Sequence, residues 1–535
     1  MKKALAAVST ATLALLYGVL AAVIAFICII CNVNMGYVLL TAVVVILVQF
    51  LISPFLTDLN MRWFYKTRFD RPVPEFVTAF VQELCQQNNM KMPRIGIIED
   101  GAPNAFTYGH TKNNARIVIT RGLLNMLDED EAKAVIAHEM GHAVHYDMLV
   151  MTAVQLVPMV LYYLYDVLRK AATEHSDNSK SESGKSTAAL LLVALVIYIL
   201  YIISEYIILW LSRTREYYAD EFAARSTADP NALASALVQV GFGLSVGSDQ
   251  HETKRSVSSP STLGIADAKA GKGMALCCMD GDVPVKENIK RAMRWDMWNV
   301  WAKLYELQST HPLISKRILA LSELSGEYGQ APYIVFDEEK PESYVDDFAK
   351  EVLISALPGL ALLAGAIAAL VMENVSVALI GLAVSLTLSI FKLRYSHPNG
   401  EFIPVKVSDL LGEVKVSHIT SIPCEIHGVI IGRGDPGCVF SEDFVLRDES
   451  GIIFLNYNRP LNIQNKLFAL FRAQNYQAKE VTAIGWYRRG PSPYVDLKYL
   501  RSEDAEKRCD RTRLGYILRG VGIALCLAAA VILAV

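Results

Sequence analysis

Apolar runs long enough to cross a bilayer are the feature that most constrains how this chain can fold. A transmembrane helix needs about 20 mainly apolar residues, and seven runs in the 535-residue sequence come close to this length. An α-helical membrane protein with several spans is therefore expected. The predicted spans are roughly residues 11–31, 36–55, 149–166, 188–211, 352–371, 375–393 and 514–535.

The composition indicates that sizeable aqueous domains accompany the spans. Hydrophobic residues make up 53% of the chain and charged residues 20%, which is too apolar for an ordinary soluble protein and too charged for a bare helix bundle. The net charge of −3 creates no overall field that would attract nucleic acid. Partners must therefore be inferred from individual sites.

Basic residues beside the apolar runs predict the orientation of the chain. Lys and Arg are enriched at the cytoplasmic ends of membrane helices, and Lys2 and Lys3 precede the first run while several basic residues follow the second. The aqueous parts are therefore expected in the cytoplasm. The predicted sections are a membrane hairpin at 1–55, an aqueous domain at 56–350 interrupted by a hairpin at about 149–211, a hairpin at 351–393, a β-rich domain at 394–512 and a last span at 513–535.

The β-rich domain has a different pattern of apolar and polar residues from the rest of the chain. Short alternating stretches such as GVIIGRG and EVTAIGWYRRG are separated by turn residues, with one helical patch, NIQNKLFALFRAQNY, between them. Four or five strands and one helix predict a small β-barrel of the oligonucleotide/oligosaccharide-binding (OB) shape. Basic and acidic residues are balanced there, so no nucleic-acid binding is expected. A regulatory, partner-binding or substrate-presenting accessory role is expected instead.

The stretch VIAHEMGHAVHYD carries the clearest chemical signal. Asp128 followed by Glu131 predicts a capped helix start just before it. On that helix His138 and His142 are at i and i+4, so both imidazoles can reach one metal ion. Glu139 is offset around the helix, where a carboxylate can act on a metal-bound water without being a ligand. This pattern predicts a hydrolytic zinc site.

A third ligand is needed to complete such a site. His145, at i+7, would lie roughly 10 Å along the helix from His138, which is too far unless the helix breaks. Glu216 and Asp220, at i and i+4 in SRTREYYADEFAA, are better placed: a Glu on a second helix can complete the ligand set and the Asp can orient an imidazole. Taken alone, these two acids would be interpreted as the solvated face of a juxtamembrane helix.

Three motifs, in this order, resemble a known family. HEMGH is followed, after a hydrophobic hairpin, by SRTREYYADEFAA and later by STHPLISKRI. This arrangement is similar to that of the HtpX-type membrane zinc metallopeptidases, which are relatives of the CAAX prenyl endoproteases. The resemblance covers roughly residues 35–325, and the last three predicted spans and the β-rich domain lie beyond it.

The resemblance implies a mainly α, zincin-like metallopeptidase domain of the gluzincin type that binds one Zn²⁺ per chain. It also implies that His311 and Arg317, from the third motif, line the cleft, where a cation can stabilise an oxyanion or grip the substrate. The implied site residues are His138, His142 and Glu216 as zinc ligands, Glu139 as the general base and Asp220 as the residue that orients a ligand.

The family also has a stretch upstream of the motif that matches PNAFTYGHTKNNARIVITRGLL. ARIVIT is strongly strand-like, and an edge strand beside the metal-binding helix can pair with an extended peptide. Asn104, Ala105 and Phe106 are therefore candidates for the substrate rim. For Phe106, packing in a turn beneath the sheet is an equal alternative.

The expected function is a zinc endopeptidase embedded in the membrane that cleaves membrane proteins or membrane-associated polypeptides, in quality control. Prenyl-peptide (CAAX-type) processing is an alternative, and a non-catalytic scaffold or sensor with a partner-binding β domain is a third hypothesis. The intact Glu139 argues against the scaffold, because a structural metal site needs no base. We expect the protein in the lipid bilayer of a bacterial inner or plasma membrane, with its active site facing the cytoplasm.

Overall fold

The structure is a computed structural model of the 535-residue chain. It describes residues 2–31, 44, 48, 51–52, 55–178, 184–246, 279–280, 283–433, 443–457, 465–466, 468, 470, 473–502, 505–510 and 512–534.

A small three-stranded sheet precedes the metal-motif helix. The central strand is the ARIVIT segment, whose six residues are all buried, as expected for a strand covered on both faces. It pairs in parallel with the first strand and antiparallel with the second, so the second strand lies at one edge of the sheet. The strands are β1 (Arg94–Ile98), β2 (Ala105–Gly109) and β3 (Ala115–Thr120).

Helices form the rest of the N-terminal part of the chain. Two of them, the fifth and the sixth, form the long hairpin that separates the metal motif from Glu216. The helices up to residue 325 are α1 (Lys2–Cys31), α2 (Glu75–Gln87), α3 (Arg121–Met126), α4 (Glu129–Val144), α5 (Asp147–Asn178), α6 (Gly184–Thr227), α7 (Pro230–Val246), α8 (Lys286–Trp298), α9 (Val300–Leu307) and α10 (Ile314–Ser325). A two-stranded ribbon, β4 (Met279–Asp280) with β5 (Val283–Pro284), precedes α8.

A second set of membrane helices flanks the β-rich domain. They are α11 (Val345–Val371), α12 (Val375–Ser396) and, after the domain, α14 (Thr512–Ala534). The short helix α13 (Val407–Leu411) lies within the domain.

Among the described residues, six helices are long and apolar enough to cross a membrane. They confirm six of the seven spans predicted from the sequence, and the chain is an integral membrane protein. The predicted span at 36–55 lies mostly outside the described residues. The candidate spans are Ala4–Ile27, Asp147–Thr173, Thr187–Thr227, Val345–Val371, Val375–Ser396 and Thr512–Leu533.

The β-rich domain is a β-barrel, as its alternating sequence predicts. Five strands pair in the order β7-β8-β9-β11-β10, and β10 pairs back onto β7 to close the ring. β9 and β11 pair in parallel, and the other pairs in the ring are antiparallel. The strands of this sheet are β6 (Ile403–Pro404), β7 (Ile422–Arg433), β8 (Phe444–Arg447), β9 (Ile452–Asn456), β10 (Glu480–Arg489), β11 (Pro493–Ser502) and β12 (Ala505–Arg508). The predicted helical patch before residue 477 lies largely outside the described residues.

The barrel domain packs directly against the helical domain through α8. The Trp295 indole N–H donates to the carbonyl oxygen of Val416 at 2.7 Å, and the Asn299 amide donates to that of Val414 at 2.7 Å. Buried apolar residues from both parts belong to one continuous core. The two aqueous domains therefore lie on the same side of the membrane helices.

Candidate metal centre

The metal-motif helix α4 begins as its sequence predicts. The Asp128 carboxylate accepts a hydrogen bond from the backbone N–H of Glu131 at 2.8 Å, and the Glu131 carboxylate accepts one from the N–H of Asp128 at 3.1 Å. This capping box satisfies two backbone donors that the first turn of a helix would otherwise leave unpaired. The helix start is confirmed, and the motif lies about two turns further on, where fraying is small.

Gly141 does not break α4, which continues to Val144. Its role is to permit close packing: a Cβ atom at Gly141 would lie 3.2 Å from the Ala219 Cα and 3.2 Å from the Phe222 ring, both on α6. The absence of a side chain between the two motif histidines therefore lets the α6 backbone approach α4. This approach brings Glu216 to the histidines.

Three side chains converge where α4 meets α6. The Nε2 atoms of His138 and His142 are 3.2 Å apart, and the Glu216 carboxylate oxygens lie 3.6 Å from each of them. One ligand atom from each residue lies within 4.8 Å of the others. His138 and Glu216 are buried, while the His142 side chain is partly exposed. The residues predicted as ligands are thus together in space.

A carboxylate holds the far nitrogen of each imidazole. Asp220 Oδ1 is 2.9 Å from Nδ1 of His138, and Asp147 Oδ2 is 2.6 Å from Nδ1 of His142. An ionised carboxylate can only accept, so each Nδ1 must be the donor. In the neutral tautomer, the Nε2 atom of each ring therefore carries no proton, and its lone pair is directed at the other ring. Two such lone pairs and a carboxylate at this spacing repel one another unless a cation lies between them.

These distances fit a tetrahedral zinc site. Bonds of about 2.0–2.1 Å to a tetrahedral ion separate neighbouring ligand atoms by about 3.3–3.4 Å. The two Nε2 atoms are 3.2 Å apart, and each lies 3.6 Å from one Glu216 oxygen, which is Oε2 for His138 and Oε1 for His142. Two imidazoles and one carboxylate from the protein leave a fourth position for water or substrate, which is the pattern of catalytic zinc sites. The donor set therefore fits the metal that the sequence motifs imply.

The electrostatics of the metal-free site also favour a bound cation. Burial lowers the pKa of both histidines, but the carboxylates overcome this effect: Asp220 and Glu216 raise the pKa of His138, and Asp147, Glu216 and Glu139 raise that of His142 to about 9. The carboxylates around the two rings therefore favour positive charge at this position, which a divalent cation can supply.

The comparisons with known proteins agree with this geometry. Residues 75–325 match Peptidase family M48. A protease HtpX homolog of Methanothermobacter thermautotrophicus is 39% identical over 201 residues, which are 38% of this chain and 71% of that protein. The chain belongs to peptidase family M48.

Other relatives and one solved structure are similar over comparable lengths. Protease HtpX homologs of Aeropyrum pernix and Thermoplasma acidophilum are 31% and 33% identical, covering 54% and 40% of this chain and 86% and 65% of their own. A crystal structure of S. mikatae Ste24p is 16% identical, with a TM-score of 0.34 over 59% of this chain and 65% of that one. That TM-score is too low to support a conclusion. As an M48 member with membrane helices, the chain is a membrane metallopeptidase.

The third-motif residues of this M48 chain lie at the site, but Arg317 is not in an open cleft. Its guanidinium is completely buried and pairs with both Asp220 oxygens, at 2.8 and 2.6 Å, and with Glu216 at 3.5 Å. These carboxylates, outweighing the effect of burial, raise its pKa. Arg317 therefore contacts Asp220 and Glu216 from the protein interior. His311 fits the predicted position better: its Nδ1 is 3.0 Å from Glu216 and its side chain is 14% exposed.

Asp147 is the functional residue that sequence reasoning missed. It is the first residue of α5 and is buried, with its second oxygen in an ion pair with Arg215 of α6. The only signal in the sequence was an acid five positions after His142, in a stretch where no helix boundary could be recognised. His145 ends α4 and packs against the rings of Tyr218 and Phe222, away from the ligand group.

The predicted substrate rim is inward-facing in the described conformation. Asn104, Ala105 and Phe106 are all buried, and the Phe106 ring packs with Val118 and its neighbours in a small apolar cluster. Phe106 is thus packed, as the alternative for this residue expected, but it lies in strand β2 and not in a turn. The β2 backbone nevertheless lies beside the metal-motif helix, because the Thr107 hydroxyl donates to the carbonyl oxygen of Glu139 at 3.1 Å.

Proposed function

We propose that this membrane metallopeptidase is a zinc-dependent endopeptidase that cleaves membrane-associated proteins close to the cytoplasmic surface of the bilayer. The observation that supports it most directly is the pair of Nε2 atoms 3.2 Å apart, each on a ring whose Nδ1 is held by a carboxylate. Zinc bound there supplies Lewis acidity, which polarises the scissile carbonyl and acidifies the attacking water. His138, His142 and Glu216 are the proposed ligands.

Glu139 is the proposed general base. It follows His138 on α4, is buried, and is close enough to His142 to contribute to its raised pKa, against the opposing effect of burial. A carboxylate at this position can take a proton from the attacking water and deliver it to the leaving amine. Its burial keeps the base away from bulk water until a substrate is bound.

His311 and Arg317 have different proposed roles. His311 is partly exposed and 3.0 Å from Glu216, so it can donate a hydrogen bond to an oxyanion beside the ligands. Arg317 is a positioning residue: its two bonds to Asp220 hold that carboxylate in place, and Asp220 in turn orients the His138 ring. The resemblance implied that Arg317 lines the substrate cleft. We propose instead that it holds the metal ligands in place.

The position of the site relative to the membrane supports substrates that emerge from the bilayer. Asp147 is the first residue of the α5 membrane helix, and Glu216 lies just beyond the apolar run of α6 predicted at 188–211. We therefore propose that the ligands lie where the hairpin leaves the membrane. The basic residues that follow the predicted second span favour the cytoplasmic side for this surface. The role in membrane-protein quality control and the location in a bacterial inner or plasma membrane stay predictions.

An extended substrate could bind along β2. This strand lies at the edge of its sheet and next to α4, and an edge strand can add a peptide through backbone hydrogen bonds. Asn104, Ala105 and Phe106 would then act through their backbone and by fixing the strand, since their side chains are buried. For the barrel we propose the OB shape: the closed five-stranded ring supports it.

The test is proteolysis by the purified, zinc-loaded protein in lipid nanodiscs with an unfolded membrane protein as substrate. Glu139→Gln should bind zinc like the wild type and lose about 10²–10⁴-fold in turnover. Glu129→Gln is the matched control, because Glu129 is on the same helix, exposed, and paired only with Lys133 among the described residues. Normal turnover by Glu139→Gln would disprove the general base, and zinc-loaded wild type without any cleavage would favour a scaffold.

A further inference from the structure

A cavity of about 670 Å³ with mixed polar and apolar walls lies at the junction of the barrel with the three C-terminal membrane helices, outside the part of the chain that matches family M48. Its walls come from α11, α12, α14 and the barrel strands β10 and β11. Five cationic or imidazole side chains line it: Lys392, Arg488, Arg519, His397 and His418.

The cavity has a surplus of positive charge. Arg488 is neutralised by Asp496, with Nε 2.6 Å from Oδ2, and the other lining acid, Asp510, pairs with Arg508 at 2.6 Å. Lys392 and Arg519 have no carboxylate within 4 Å among the residues that the structure describes. Within this part of the chain they donate to the Ser355 and Ser389 hydroxyls and the Gly515 carbonyl, so neither cation has a charged partner among the described residues.

Serine hydroxyls hold both cations in place. Lys392 Nζ donates to the Ser355 hydroxyl of α11 at 2.9 Å, and Arg519 Nε donates to the Ser389 hydroxyl of α12 at 2.6 Å. Each bond joins two different helices, so the positions of the cations are fixed by helix packing. The same cations retain donors that these serines do not use, because an ammonium has three N–H groups and a guanidinium five.

Close helix packing reinforces this arrangement. A Cβ at Gly515 would lie 2.9 Å from a terminal nitrogen of Arg519 and 3.2 Å from Leu393 on α12, and one at Gly522 would lie 3.0 Å from Leu386. Glycines on α14 therefore let α12 approach next to the Arg519 guanidinium. The positive field reaches the opposite wall, where burial and then Arg488 and Lys392 lower the pKa of His418.

Lys392 and Arg519 both lie near the barrel ends of their membrane helices. Lys392 is four residues before the end of α12 at Ser396, and Arg519 is seven residues after the start of α14 at Thr512. At 1.5 Å per residue they lie about 6 and about 10 Å from the barrel ends of these helices. Lys and Arg side chains near the ends of membrane helices extend their charged groups toward the lipid headgroup layer, so both cations are placed where a lipid phosphate can meet them.

We propose that this cavity binds the phosphate group of an anionic phospholipid, with Lys392 and Arg519 as its direct contacts. Basic pockets between membrane helices recognise lipid headgroups in this way. A lipid is favoured over free phosphate because Leu518, 62% exposed on α14, lines the same cavity and offers an apolar surface for an acyl chain. The proposal concerns lipid binding and does not depend on the proposed peptidase function.

The experiment is native mass spectrometry of the full-length protein, titrated in detergent with phosphatidylglycerol, phosphatidylcholine or inorganic phosphate. We expect the wild type to retain one phosphatidylglycerol in preference to phosphatidylcholine. Lys392→Gln combined with Arg519→Gln should weaken its retention about 30-fold, the effect of two cations near a membrane surface. Arg394→Gln with Arg513→Gln is the matched control, because both residues are exposed on the same two helices and neither lines the cavity.

One further double variant separates the effect of charge from that of folding. Lys392→Arg with Arg519→Lys retains both charges and should retain the lipid, even if the neutral double variant folds poorly. Equal loss of lipid in the Arg394/Arg513 control would overturn the proposal, since binding would then be a diffuse surface effect. Binding of inorganic phosphate without phosphatidylglycerol would overturn the lipid assignment.

Discussion

Asp147 Oδ2 lies 2.6 Å from Nδ1 of His142, although the two residues belong to different helices. The same carboxylate forms a buried ion pair with Arg215 on α6. A single side chain thus joins the metal-motif helix to both helices of the membrane hairpin. The Asp147 carboxylate therefore both orients the ligand His142 and joins helices α5 and α6.

Replacing Asp147 should therefore weaken metal binding. Asp147→Asn removes the charge that fixes the His142 tautomer, and loss of such a partner typically costs about 10–100-fold in metal affinity. Zinc affinity is measured by competition with a chromogenic chelator. Asp166→Asn is the control, because Asp166 is on the same helix but pairs with surface residues Arg169 and Lys170. Equal zinc affinity in Asp147→Asn and wild type would contradict this role.

Gly141 offers a second test of the contact between α4 and α6. In Gly141→Val the new side chain would press on Ala219 and Phe222, whose atoms already lie 3.2 Å from a Cβ at this position. Displacement of α6 moves Glu216 away from the histidines, so zinc affinity should fall by about tenfold or more while overpacking costs about 1–3 kcal/mol of stability. Gly326→Val, where a Cβ has open space, should leave zinc affinity unchanged. Wild-type affinity in Gly141→Val would mean that α6 position does not govern the site.

How far the sequence predicts this site is clear from its individual residues. His138 and His142 are adjacent on one helix, so their convergence follows from helical spacing alone. Glu216 lies beyond a membrane hairpin, so no local spacing connects it to the histidines. It could be predicted as a ligand because the motif that contains it follows HEMGH in the order typical of a known family. Asp147 could not be inferred, because its contact depends on the direction of α5 after a turn in which Tyr146 adopts a positive φ of 60°.

In the barrel, too, local sequence patterns predicted some features, whereas contacts between residues distant in sequence could not be predicted. Alternating residues predicted its strands: β10 lies in the stretch EVTAIGWYRRG and the end of β7 lies in GVIIGRG. Ring closure between β10 and β7 depends on contacts that are distant in sequence, and so does the docking of the barrel on α8. No local pattern marks Arg489 as an interdomain contact rather than an exposed basic residue.

Removal of metal should destabilise the peptidase domain. Zinc at 1,000 times its dissociation constant stabilises the folded state by about 4 kcal/mol, and Glu216, Asp220 and Asp147 each place a carboxylate against one of the two ligand imidazoles. Dialysis against a chelator should lower the midpoint of thermal unfolding, measured by differential scanning fluorimetry, and added Zn²⁺ should restore it. Mg²⁺ is the control, because it prefers oxygen ligands. Recovery with Mg²⁺ alone would argue against a histidine-based site.

Arg489 should couple the barrel to the peptidase domain. Its guanidinium donates to the carbonyl oxygens of Leu411 at 3.0 Å and Ala292 at 2.9 Å and lies 3.3 Å from the Asp296 carboxylate, which also binds the Ser315 hydroxyl at the start of α10. Arg489→Met leaves Asp296 buried without its cation, and breaking a buried pair costs about 3–5 kcal/mol. Denaturant unfolding should show this loss.

Hydrogen exchange tests where the Arg489 effect is felt. Because α10 also carries Arg317, which holds Asp220 at the metal site, Arg489→Met should increase exchange in α8 and α10. Arg501→Met is the control: its ion pair with Glu506 is about half exposed, and such surface pairs contribute about 0–1 kcal/mol. If exchange rises only in the barrel strands, the two domains are energetically independent, and the path from Arg489 through Asp296 and Ser315 to the metal-binding residues is wrong.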